Sequence, residues 1–130
     1  LDELQGKAQI VSLHTPQTLE TIGMINTSFI DKMRHPFWFV NTARGSAVQT
    51  ADLVEALKKG AVKGAALDVI EYEKSSFENP FEKQRNANLE FLMNATNVLL
   101  SPHVAGWSRE SHRKLAEIIA RQIILNFGKA

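Results

Sequence analysis

The 130-residue sequence contains no cysteine. That excludes disulfides, a thiolate metal site and a cysteine nucleophile, and it is compatible with a reducing cytoplasm, the compartment expected here. Neither sign of charge is in excess: fifteen Lys and Arg face fourteen Asp and Glu, for a formal net charge of +1. Without a dominant sign there is no long-range field to draw nucleic acid or a membrane surface, and neither is expected as a partner. No apolar run approaches the roughly 20 residues that span a bilayer. Leu1-Asp2-Glu3-Leu4 has no basic stretch followed by an apolar core, so no secretory signal is read there. An initiator Met is also missing, and the chain is expected to begin partway through something larger or to have been trimmed. Internal repeats and low-complexity tracts are absent. So are several catalytic signatures: no Gly-x-Ser-x-Gly elbow, no His-Glu-x-x-His, no Gly-x-x-x-x-Gly-Lys loop and no Gly-x-Gly-x-x-Gly occurs.

What remains is the balance of a globular protein, 44% hydrophobic and 22% charged, at a length that suits one domain. Four short apolar runs stand out: Ile10-Val11-Ser12-Leu13, Phe37-Trp38-Phe39-Val40, Ala65-Ala66-Leu67-Asp68-Val69 and Val98-Leu99-Leu100. None alternates cleanly between apolar and polar, which predicts strands buried on both faces, as in a parallel sheet covered by helices.

Helical patterns lie between the runs. Residues 27–34 start at Asn26 or Thr27 and place Phe29, Ile30 and Met33 on one side. From Thr50 to Lys59 the pattern is cleaner: Thr50 as cap, Asp52 and Glu55 toward the positive end, Leu53, Val54 and Leu57 as the stripe, Lys58 and Lys59 in the last turn, and Gly60 as the stop. Residues 109–127 predict the longest helix, apolar enough around its circumference to pack against more than one partner. Between Glu71 and Ala95 the chain reads as a polar surface excursion with a helical turn near Leu89–Met93. Strand–helix alternation with right-handed crossovers predicts an α/β fold with a parallel sheet.

In such a sheet ligands bind beyond the carboxyl ends of the strands. His14-Thr15-Pro16 follows the first run, Asn41-Thr42-Ala43-Arg44-Gly45 the second, and Ser101-Pro102-His103 the fourth; Asp68 lies near the end of the third, with Glu71 and Glu73 just beyond. All four runs thus deliver polar or ionisable groups to one rim. Taken singly these residues are ordinary. His14, His35 and His112 read as loop residues, Arg44 before a glycine reads equally as a surface turn, and one of Glu71 and Glu73 reads as simply solvated. Asp68 inside an apolar run is harder to dismiss, because a buried carboxylate needs partners.

Three ordered segments, Asn41-Thr42-Ala43-Arg44-Gly45, Ala66-Leu67-Asp68-Val69 with Glu73 beyond it, and Ser101-Pro102-His103-Val104-Ala105-Gly106, resemble signatures of the D-2-hydroxyacid dehydrogenases. Val11-Ser12-Leu13-His14-Thr15-Pro16 resembles a fourth, and the nearest likeness within the family is to the D-3-phosphoglycerate dehydrogenases. The resemblance implies the second half of a Rossmann-like doubly wound parallel sheet. Residues 1–107 would be part of the NAD-binding domain, and 108–130 a helix returning toward a substrate domain. It implies NAD as cofactor, a small 2-hydroxy or 2-oxo acid as substrate and a homodimer.

Roles follow from the same resemblance. His103 would be the acid/base and Glu73 the carboxylate that orients its imidazole. Arg44 would hold the substrate carboxylate and polarise the 2-oxo group, a task for which a planar guanidinium suits better than an ammonium. Asp68, Thr42 and Ala43 would contact the nicotinamide end, His14, Thr15 and Pro16 the ribose region, and Ala105 and Gly106 belong to the same cofactor-contacting set. A non-catalytic dinucleotide sensor of the same fold is the competing class, and glyoxylate or hydroxypyruvate reduction the competing substrate; Arg44, Glu73 and His103 together favour an enzyme. A full member would carry its glycine-rich pyrophosphate turn before Leu1. The purified 130-residue chain is therefore expected to be inactive, and measurable NADH oxidation with a 2-oxo acid would overturn that.

Overall fold

The computed structural model describes residues 1–71 and 87–128. Its centre is a four-stranded sheet: β1 (Ile10–Leu13), β2 (Phe37–Asn41), β3 (Val62–Leu67) and β4 (Val98–Leu100). The strands lie side by side in chain order and every pairing is parallel. The connecting helices are α2 (Thr27–Asp31), α3 (Thr50–Lys59) and α4 (Ala87–Asn94). A short helix, α1 (Asp2–Lys7), precedes the sheet and the long α5 (Arg109–Phe127) follows it.

Helix ends follow local chemistry. Asn26 caps α2 by accepting from the Phe29 N–H at 3.0 Å. Ser108 does the same for α5 from the Ser111 N–H at 3.1 Å. Gly60 closes α3 in the left-handed conformation (φ 76°), which costs a glycine nothing. The N-terminus of α3 departs from expectation. Thr50 is its first helical residue rather than its cap, and Gln49 at the cap position makes no side-chain bond. The acceptor comes from 21 residues away: Glu71 Oε2 takes the Thr50 N–H at 3.0 Å. Glu71 is thus engaged by its carboxylate rather than only solvated.

The helices pack on one face of the sheet. Val11 and Leu13 from β1, Phe37 and Phe39 from β2, and Ala65 and Leu67 from β3 form a single buried cluster with Phe29 and Ile30 of α2, Leu53, Val54 and Leu57 of α3, and Leu92 of α4. The opposite face is bare. Ile10 and Leu99 are 66% and 68% exposed, and Trp38 is half-exposed, its indole lying over Gly64 where any Cβ would collide with it. The second face expected to be buried is thus not covered by any described residue of this chain. Chirality supplies the reason: right-handed crossovers that advance in one direction across a sheet put every connecting helix on the same side. Periodicity cannot reveal this, since the uncovered positions are themselves apolar.

The other correction concerns α5. Its limits agree with the pattern, but none of its residues is buried, and Leu115, Ile118, Ile119, Ile123 and Phe127 are all exposed. The packing expected of it is not found among the described residues. Neighbours on opposite faces should respond differently to truncation. Phe39→Ala is expected to cost about 3–5 kcal/mol by urea unfolding, as a large aromatic leaves a packed core. Leu99→Ser should stay within about 0.5 kcal/mol.

Candidate active site

Because all four strands are parallel, their carboxyl ends lie on one edge. That edge receives His14 directly after β1, Thr42 to Arg44 after β2, Asp68 after β3 and Ser101 to Gly106 after β4. Arg44 and His103, from separate crossover units, are therefore delivered to the same side of the sheet. Glu73 falls outside the described residues.

A chain of hydrogen bonds crosses this rim. Asn41, the last residue of β2, accepts the Asp68 N–H on its main-chain oxygen at 2.9 Å, and the Asp68 main-chain oxygen accepts the His103 N–H at 3.0 Å. Asp68 is 5% exposed. Its Oδ1 accepts from Ser101 Oγ at 2.6 Å and from the Val104 N–H at 2.8 Å, and its Oδ2 from the Ala105 N–H at 2.9 Å. Burial opposes charge on this carboxylate. The bonds from Ser101, Ala105 and Val104, helped by the positive charge of His103, outweigh burial and hold the Asp68 pKa below the usual carboxylate value. The buried aspartate thus has its partners, and they are the loop that carries the histidine.

That loop is bent sharply. His103 sits at φ 56°, the non-glycine residue with positive φ among the described residues. Histidine tolerates this region better than most, yet it costs about 1–2 kcal/mol relative to a right-handed conformation. Such a conformation persists only where the surroundings enforce it, and enforced conformations cluster at active sites. Here the His103 N–H is held by Asp68 and Ser101 oxygens while the next two N–H groups bind the Asp68 carboxylate.

The Arg44 loop is held as tightly. Asn41 is 1% exposed. Its Oδ1 accepts from the Ala43 N–H and its Nδ2 donates to the Arg44 main-chain oxygen, both at 3.0 Å. Gly45 packs against the Ile70 carbonyl so closely that a Cβ would overlap it. The Arg44 side chain is itself exposed and donates from one terminal nitrogen to the Ala43 carbonyl at 2.6 Å. A guanidinium has five N–H donors, so this bond does not exhaust it. His14, also exposed, pairs through Nε2 with Ser12 Oγ at 2.9 Å. Thr15 is partly buried; Pro16, Thr42 and Gly106 are exposed and Ala43 is buried. A cleft of about 290 Å³ lies beside the N-terminus of α3, lined in part by Ser46, Thr50 and Glu71, but Arg44, Asp68 and His103 do not line it. Among the described residues, the exposed His14, Thr42, Arg44 and His103 make this rim a ledge.

This donor set can receive one end of a dinucleotide. The exposed His14 and Thr42 and the partly buried Thr15 offer hydrogen bonds to ribose hydroxyls or a carboxamide, and the ledge is where an open α/β sheet binds nucleotides. No described residue forms a glycine-rich pyrophosphate cradle. No group of three or more His, Asp or Glu suited to a metal ion occurs among the described residues, and no described helix is long and apolar enough to cross a membrane.

Comparison with known proteins agrees with the fold. The model of a family described as "D-isomer specific 2-hydroxyacid dehydrogenase, NAD binding domain" matches residues 1–105. A glyoxylate reductase of Thermofilum pendens is 41% identical over 124 residues, 95% of this chain and 33% of that protein. A D-3-phosphoglycerate dehydrogenase of Archaeoglobus fulgidus is 38% identical over 123 residues, 95% of this chain and 21% of that protein. Among solved structures, the NAD-complexed form of a D-isomer specific 2-hydroxyacid dehydrogenase from Lactobacillus delbrueckii ssp. bulgaricus superimposes with a TM-score of 0.77 at 31% identity, over 99% of this chain and 40% of that one. The chain thus spans a third or less of the two curated relatives.

Two rim residues carried no signal in the sequence. Asn41 sat inside a motif whose visible interest was Arg44, and Glu71 looked like one of a pair of loop acids. Replacing Asp68 by Asn should cost about 2 kcal/mol at neutral pH, the scale of lost hydrogen bonds to a charged group. Because folding lowers the Asp68 pKa, the stabilisation is present above the ordinary carboxylate range and fades as pH falls through the lower folded value. The gap between wild type and Asp68→Asn in urea titrations should therefore be wide at pH 7 and narrow below about pH 4.

Proposed function

The chain belongs to the D-isomer-specific 2-hydroxyacid dehydrogenases, by the NAD-binding domain of that family, and on that premise we propose that the protein carrying it interconverts a D-2-hydroxy acid and the corresponding 2-oxo acid. The observation that carries the proposal is the hydrogen-bonded rim that sets the Arg44 and His103 loops on one edge. Thr42, His14 and Thr15 would hold NAD by its nicotinamide end, with Pro16, Ala43, Ala105 and Gly106 shaping the ledge. Asp68, with both oxygens engaged, would act there chiefly by setting the loop after β4. When bound, NAD supplies the redox capacity that no side chain here possesses.

The remaining work falls to the chain's own residues. Arg44 would bind the substrate carboxylate through parallel N–H bonds and steady negative charge on the neighbouring oxygen. His103 would take the proton from the 2-hydroxyl oxygen in oxidation and return it in reduction, with Glu73 orienting the ring. The left-handed backbone at His103 supports this, because it fixes where the imidazole starts from. Residues 1–107 and 108–130 would serve separately, the first as the cofactor-binding part and the second as an arm reaching the part that closes over the substrate.

The relatives named for glyoxylate and for phosphoglycerate match almost equally. What their substrates share is a carboxylate beside a 2-oxo or 2-hydroxy carbon, and that is the group Arg44 would recognise. Phosphoglycerate therefore has no preference over glyoxylate or hydroxypyruvate. A homodimer and a cytoplasmic location complete the reading. In the full-length protein, His103→Gln is expected to lower kcat by at least about a hundredfold, measured as NADH oxidation with glyoxylate and hydroxypyruvate. Unchanged turnover would exclude the acid/base role, and no turnover of either substrate by the wild-type full-length protein would favour the non-catalytic sensor.

A further inference from the structure

We infer that Asn41 is a positioning residue for substrate binding, a clamp that fixes the base of Arg44 so that its guanidinium is aimed; this rests on the reading that Arg44 binds the substrate carboxylate. Arg44 is exposed, and a long exposed arginine can adopt many rotamers. It can serve as an aimed anchor only if its main chain is fixed. The Arg44 main-chain oxygen is fixed from two sides: Asn41 Nδ2 donates to it at 3.0 Å and the Ala47 N–H at 3.2 Å. On the other side of the same amide, Asn41 Oδ1 accepts the Ala43 N–H.

Both ends of one side chain are thus spent inside the loop it precedes. The Asn41 main-chain oxygen meanwhile binds the Asp68 N–H. Asn41 therefore connects the Arg44 loop to the segment that holds His103. The task needs a donor and an acceptor on one short planar group. Aspartate lacks the donor, glutamine is a methylene too long, and a hydroxyl cannot reach both partners. Burial at 1% exposure keeps water from substituting for either bond. Misplacement of a binding group by about 1 Å can cost up to a hundredfold in rate, so the effect should be large although Asn41 touches no ligand.

The test uses the full-length protein and steady-state kinetics with glyoxylate and NADH. Asn41→Ala is expected to raise KM for glyoxylate by about ten- to a hundredfold, and by more than it raises KM for NADH. In an Arg44→Ala background the same change should add less than about twofold, because a clamp has nothing left to aim. Asn41→Ser, which keeps an acceptor for the Ala43 N–H but cannot span to the Arg44 carbonyl, should show the same KM split with Tm nearly unchanged. It decides the matter if Asn41→Ala does not fold. A glyoxylate KM within twofold of wild type in a folded Asn41 variant, or losses at Asn41 and Arg44 that multiply in full, would overturn the clamp while leaving the role of Arg44 intact. If Arg44→Ala itself leaves KM for glyoxylate unchanged, the substrate-binding reading falls and the clamp with it.

Discussion

The buried carboxylate of Asp68 is the interaction on which the rest of the rim depends. It receives three donors from the loop after β4, and its main chain bridges from Asn41 on one side to His103 on the other. A carboxylate at 5% exposure is costly unless fully partnered, and here the partners are the Ser101 hydroxyl and two backbone N–H groups at a sharp bend. The dependence is mutual: the loop satisfies the charge and the charge fixes the loop. Without that exchange the left-handed conformation of His103 would be held only by the main-chain bonds of its own N–H to Asp68 and Ser101.

The sheet below makes this arrangement possible at little cost. Parallel strands end at one edge, so successive crossovers return a loop to the same ledge each time. Glycine at position 45 then lets the Arg44 loop press against the Ile70 carbonyl, and beyond the paired strands the Asp68 N–H still binds the Asn41 main-chain oxygen. Position of the chemistry is therefore set by backbone, with side chains completing it.

Much of the fold was legible in the residues. Ile10–Leu13, Phe37 onward, Val98–Leu100 and the helix at 109–127 have limits close to those the apolar pattern predicts. Strand β3 begins earlier, at Val62, because Lys63 and Gly64 broke the apolar run that made it visible. Helix α1 was missed, since six residues with one buried side chain offer no periodicity to read. Trp38 and Leu99 look like core in any one-dimensional pattern, and no described residue of this chain covers them. Asp68 announced itself as a charge inside an apolar run. The bond of Glu71 to the Thr50 N–H and that of the Asn41 main-chain oxygen to the Asp68 N–H did not, because their partners lie in other segments of the chain. Hydrogen bonds between distant segments leave no trace in spacing.

The left-handed bend at His103 has an implication for how the position can change. Its backbone penalises β-branched and bulky residues, whereas glycine and asparagine fit it with less strain. A chain released from any chemical duty there would gain by drifting to one of those two. The backbone there gives histidine no folding advantage over either of them.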